Sequence, residues 1–138
     1  MVKSANDTSI TIAEGVAGSV EAFSAEMNDV ARGLGMRDSN FVNPNGLHSP
    51  SHVSSARDMA ILARALLGHF PHHSSLYGIG ALQLGNRVIP THNGLIGRYA
   101  GADGMKTGFV CASGFNVVAT ATRGGRKLIA VIMGAPNA

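Results

Sequence analysis

Apolar residues in this 138-residue chain change their spacing once, near residue 80, and that switch limits the fold more than any other feature. Val20, Phe23, Met27, Val30, Ala31 and Leu34 recur in steps of three and four, and so do Met59, Leu62, Ala63, Leu66, Leu67 and Phe70. Each set puts one apolar stripe on one helix. Ser19 is placed to cap the first of these helices, and Gly33 and Gly35 mark its end. Ser55 and Asp58 stand in capping-box-like spacing before the second, and Pro71 stops it. A weaker helix is predicted from near Asp7, capped by Asn6 or Asp7, with Ile12 and Val16 on one face and Gly15 and Gly18 weakening it. Beyond the switch, residues 81–90 read as a hairpin around Gly85-Asn86. Residues 105–110 read as a strand, and 115–122 with 127–133 as two arms flanking Gly124-Gly125. Residues 36–54, with the turn Asn43-Pro44-Asn45-Gly46, and glycine-rich residues 91–104 read as loops. Helices first and antiparallel strands after predict an α+β fold, with helices packed on an antiparallel sheet. The expectation is one domain over 1–138, mainly helical over 1–78 and sheet-forming over 79–138.

Hydrophobic residues at 45% and charged residues at 14% fit a globular chain rather than a disordered one. The formal charge of +3 is modest and its basic residues do not cluster, which argues against nucleic acid as a partner. The single cysteine, Cys111, allows no internal disulfide and no cysteine zinc cage, and is read as a small half-buried residue. His48 with His52, and His69 with His73, are four apart. The first pair falls in a loop and the second spans Pro71, so no metal site is expected and the histidines read as surface residues. Glu14, Glu21 and Glu26 read as solvated helix residues, and Arg98, Arg123 and Arg126 as turn residues. No apolar run approaches membrane-spanning length, and Met1-Val2-Lys3-Ser4 does not open a signal peptide.

Two tripeptides carry potential chemistry: Ser4-Ala5-Asn6 just before a helix, and Lys106-Thr107-Gly108 about a hundred residues later on a predicted strand. Enzymes that open β-lactams combine Ser-x-x-Lys with Ser-x-Asn-like and Lys-Thr-Gly motifs. Either tripeptide alone is weak, and Ser-x-Asn is ordinarily a helix cap. Longer stretches are specific: residues 2–22 (VKSANDTSITIAEGVAGSVEA), 54–60 (SSARDMA) and 101–135 (GADGMKTGFVCASGFNVVATATRGGRKLIAVIMGA). Through them nearly the whole chain resembles the serine-type D-alanyl-D-alanine carboxypeptidases, the low-molecular-mass penicillin-binding proteins. The resemblance implies the helical subdomain and part of the antiparallel sheet of the penicillin-binding, β-lactamase-like transpeptidase fold. It implies a peptidoglycan stem peptide ending in D-Ala-D-Ala as substrate, β-lactams as ligands of the complete enzyme, no metal or other cofactor, and work in the periplasm or outside the membrane. It also implies roles. Ser4 relays a proton to the leaving D-alanine nitrogen, Asn6 hydrogen-bonds the substrate peptide, and Lys106 supplies positive charge and holds Ser4. Thr107 binds the terminal carboxylate, Gly108 lets substrate approach the strand, and the Phe109 N–H is half of an oxyanion hole.

One departure stands against the resemblance. The only lysines are Lys3, Lys106 and Lys127. Asp103 lies three before Lys106, Gly124 three before Lys127, and nothing three before Lys3, so Ser-x-x-Lys and its nucleophile are absent. In the family that motif lies upstream of Ser-x-Asn. The expectation is therefore a fragment truncated at both ends and inactive alone, since the family's arrangement does not place Ser4 for attack. The alternative is a non-catalytic remnant that binds peptidoglycan peptides. No motif for a deacylating glutamate is found, which favours a carboxypeptidase over a β-lactamase.

Overall fold

The computed structural model describes residues 1–137. Three α-helices come first: α1 (Asn6–Ala17), α2 (Val20–Leu34) and α3 (Ala56–His69). A short 3₁₀ helix (Pro71–Gly78) follows, then a two-stranded hairpin of β1 (Ala81–Leu84) and β2 (Arg87–Pro90). The chain ends in an antiparallel meander of β3 (Ala102–Val110), β4 (Gly114–Arg123) and β5 (Arg126–Ala135), in the order β3-β4-β5. Helix α1 packs on α2, α2 on α3, and α3 on β5 and β4, while the 3₁₀ helix packs on β3. This is the α+β arrangement that the change of apolar spacing predicts.

Local chemistry explains most boundaries. The Ser19 hydroxyl accepts from the Ala22 N–H at 3.0 Å, and the Gly35 N–H closes α2 on the Ala31 and Arg32 carbonyls. The Ser55 hydroxyl accepts from the Asp58 N–H at 3.2 Å. Gly124-Gly125 turns β4 into β5, with Arg123 opposite Arg126. Three readings are corrected and one, at Pro71, is borne out and extended. Ala5, not Asn6 or Asp7, precedes the first turn of α1, and no side chain caps it; the Asp7 carboxylate reaches only the adjacent Thr8. Pro71 both ends α3 and starts the 3₁₀ helix, where a proline lacking an N–H costs nothing. Strand β3 starts at Ala102, inside the glycine-rich stretch read as loop. There Gly101 is in the left-handed region (φ 88°), and a side chain on it would stand 2.5 Å from the Thr122 carbonyl oxygen. Glycine thus admits β4, and the Asp103 carboxylate adds bonds from Thr122 and Lys127, each at 2.6 Å. Cys111, read as half-buried, is exposed, because it sits in the turn from β3 to β4.

The segment between α2 and α3 lacks regular structure yet is held at both ends. Asn28 on α2 donates to the Phe41 carbonyl at 2.7 Å and accepts its N–H at 2.8 Å. Asp58 on α3 is fully buried. Its Oδ2 accepts from the Asp38 N–H and the Ser39 hydroxyl, both at 2.8 Å, and Ser39 in turn meets Ser54 at 2.8 Å. Asp58 therefore does not complete a reciprocal capping box; its carboxylate clamps the loop. Burial pushes the Asp58 carboxyl up, but the Ser39 hydroxyl, the backbone N–H groups of Asp38 and Arg37, and the Arg57 charge outweigh it and hold the group below the usual carboxylate range.

A folded-state carboxyl held low contributes stability that is present above the ordinary carboxylate pKa and lost as pH falls through the lowered value. Asp58→Asn is expected to lower the thermal midpoint by several degrees at pH 7. In parallel melts of the two proteins, that deficit should shrink once the pH drops below about 4.

Candidate active site

Lys106 lies mid-strand on β3, opposite Val118 of β4. Its ammonium donates to the Ser4 hydroxyl at 2.7 Å, across 102 positions of sequence, and also to the Thr107 carbonyl. Burial of the ammonium lowers its pKa from the usual lysine value. Ser4 reaches it from a left-handed backbone (φ 51°), a conformation that costs a non-glycine residue about 1 kcal/mol. Val2 supplies the anchor: it is buried, and it lines a small crevice with Leu76 and Tyr77 of the 3₁₀ helix and Met105 of β3. Sequence reasoning missed Val2. Its signal was an apolar residue two positions before the motif serine.

Ser4, Asn6, Lys106, Thr107, Gly108 and Phe109 all line one open cleft of about 690 Å³ between the helices and the meander. Every residue picked out from the two tripeptides is therefore brought together. Asn6 is the first residue of α1, with no hydrogen bond to its carboxamide among the described residues. Nothing stands within 4 Å of where a side chain on Gly108 would begin, so the approach to the strand there is open. Phe109 is 54% exposed and stacks on Phe115 with ring centroids 4.5 Å apart. Among the described residues β3 pairs only with β4, which leaves its other edge for an added strand.

His48 and His52 also line the cleft. His52 is half-buried rather than a plain surface residue: its Nδ1 accepts the Val42 N–H at 3.2 Å, and burial lowers its pKa. Among the described residues no three histidine, cysteine or carboxylate groups gather as a metal site. Arg98, Arg123 and Arg126 do not line the cleft; Arg123 bonds the Ala100 carbonyl at 2.8 Å and stacks over Tyr99. Asn116 of β4, which the motifs did not single out, does line it.

The sequence model described as D-alanyl-D-alanine carboxypeptidase matches residues 1–137. The chain belongs to that family. It is 38% identical over 136 residues to the D-alanyl-D-alanine carboxypeptidase DacC of Escherichia coli K12, covering 98% of this chain and 34% of that protein. It thus spans about a third of the length of the curated relatives it matches. The crystal structure of the carboxypeptidase DacD from Francisella tularensis superposes with a TM-score of 0.93 at 26% identity, over 99% of this chain and 46% of that one. Penicillin-binding protein D2 from Listeria monocytogenes, in its cefotaxime-bound form, gives a TM-score of 0.88 at 31% identity, over 98% of this chain and 56% of that one. Relatives in this family of carboxypeptidases thus share both the sequence pattern and the α+β fold.

A lysine whose folded pKa is depressed binds fewer protons folded than unfolded in the interval between the two values. Folding stability should therefore rise with pH from the lowered value of Lys106 up to the ordinary lysine range near 10.4. Lys106→Met is expected to abolish that alkaline rise, read by urea unfolding at a series of pH values.

Proposed function

We propose that this cleft holds the D-Ala-D-Ala end of a peptidoglycan stem peptide, as the substrate-binding part of a serine-type D-Ala-D-Ala carboxypeptidase working in the periplasm or outside the membrane. The observation that carries the reading is the 2.7 Å bond from the Lys106 ammonium to the Ser4 hydroxyl. A peptide ending in a carboxylate is best met by a fixed cation and a hydroxyl donor, which Lys106 and Thr107 provide on one strand. The peptide lies along the open edge of β3 as an added strand, and the bare α-carbon of Gly108 lets it come close. Residues 1–138 form one part of the catalytic domain, in which the helices within 1–78 and the strands within 79–137 meet at the cleft.

In the complete reaction a serine oxygen attacks the carbonyl of the penultimate D-alanine. The developing oxyanion is met by backbone N–H groups, one of them from Phe109. The carbon–nitrogen bond then breaks as the leaving nitrogen takes a proton through the Ser4 hydroxyl, which Lys106 orients, while Asn6 holds the peptide. Water releases the acyl group. The attacking serine belongs to a Ser-x-x-Lys motif that this chain does not contain. Without a nucleophile, a site of this type retains only about 10³ to 10⁴ over the rate in water. The chain alone is therefore a binder of the peptide rather than a hydrolase.

Titrating the ¹⁵N-labelled chain with diacetyl-L-Lys-D-Ala-D-Ala should move the amides of Lys106 to Phe109 and of Ser4. The L-Ala-L-Ala isomer should leave them in place, and Lys106→Ala should remove the response. Fluorescent penicillin is expected to leave no stable covalent label on the purified chain. A serine-linked adduct seen by mass spectrometry would overturn the assignment of a non-covalent binder.

A further inference from the structure

Resting on the reading of β3 as the substrate strand, we propose that Asn116 is a positioning residue that aims the Phe109 N–H into the cleft. Asn116 lies on β4 directly opposite Gly108. On its other side β4 and β5 lose register: Phe115 faces Ala135 but Val117 faces Ile132, so two residues, Met133 and Gly134, oppose Asn116 alone. A bulge of this kind leaves a backbone N–H without its ladder partner. The Asn116 Oδ1 accepts that N–H, from Gly134, at 3.0 Å.

The other end of the same carboxamide faces β3. Its Nδ2 donates to the Gly114 carbonyl at 2.9 Å and to the Ser113 hydroxyl at 3.0 Å, and makes a longer 3.5 Å contact with the Gly108 carbonyl. The Gly108 carbonyl and the Phe109 N–H belong to one planar trans peptide and point in opposite directions. A donor that draws the Gly108 oxygen toward β4 therefore turns the Phe109 N–H toward the open edge, where the cleft lies. The surroundings are tight: a side chain on Gly114, whose φ is 68°, would stand 2.6 Å from the Ala135 carbonyl oxygen. One side chain thus ties the bulge in β5, the turn after β3 and the peptide that presents the N–H. A residue that only filled the bulge would need its acceptor oxygen alone; Nδ2 instead holds the turn at Ser113 and Gly114 and reaches the Gly108 carbonyl of the substrate strand.

Asn116→Asp separates the two duties. At pH 7 it keeps size and the acceptor for Gly134 but has no donor for Gly108. In the ligand-free ¹⁵N-labelled chain the Phe109 amide is expected to shift and broaden, while amides at the Arg123–Arg126 end of the meander stay unchanged. Affinity for diacetyl-L-Lys-D-Ala-D-Ala is expected to fall roughly tenfold, the scale of one lost hydrogen bond. Asn116→Ala should do the same with an added loss of thermal stability. Should that variant not fold, the aspartate variant decides alone. A Phe109 amide and a peptide affinity both unchanged in Asn116→Asp would overturn the proposal. Absence of peptide binding by the unmutated chain would instead overturn the substrate reading, and the ligand-free Phe109 amide would still report on Asn116.

Discussion

A half-buried ammonium organises this molecule. Lys106 gives up part of its hydration on β3, and two oxygens, the Ser4 hydroxyl and the Thr107 carbonyl, make up only part of the loss, so its pKa stays lowered. One of these comes from its own strand and the other from the far end of the chain. The contact therefore requires the N-terminal segment, the 3₁₀ helix and the meander to be docked at once. Val2, wedged beside Leu76, Tyr77 and Met105, holds the serine segment within reach, and the left-handed backbone at Ser4 completes the approach. The cation at the centre of the cleft is as much a product of packing as of chemistry.

Two carboxylates play the complementary part in the scaffold. Asp103 joins β3 to Lys127 of β5 and Thr122 of β4, at the end of the sheet remote from the cleft. Burial raises its pKa, and the bonds from Lys127 and Thr122, with the Lys127 charge, outweigh that and lower it. Asp58 does the same work for the long segment between α2 and α3. Asp58 serves where irregular structure lacks a backbone ladder, and Asp103 where the β3–β4 ladder shifts register between Ala102 and Gly104.

The two strongest helices and the closing hairpin were legible in the sequence, because Ser19, Ser55, Pro71 and Gly124-Gly125 act on neighbours within a few positions. Lys106 and Ser4 were legible as a pair only through resemblance; nothing in their spacing brings residues 102 apart together. What stayed hidden depends on distant partners. The start of β3 at Ala102 looks like loop because its order comes from β4 and from Lys127. Asp58 looks like part of a cap, since its partners Asp38 and Ser39 lie some twenty positions upstream. Asn116 sits in an apolar strand with no motif around it, and its partners come from the register shift at Gly134 on one side and from the turn and β3 on the other.

The outer strand of the meander has its own consequence. Among the described residues β5 pairs only with β4, and Leu128 and Ile132 are 66% and 56% exposed. Arg126 and Lys127 put charge at the start of this strand, but 128–135 carry none. Purified chain held at high concentration should therefore be lost by self-association along that border, at a rate that climbs with the square of its concentration, well below the temperature at which it melts. Dilution and added charge near Ile132, more than cooling, are the levers that would keep it in solution.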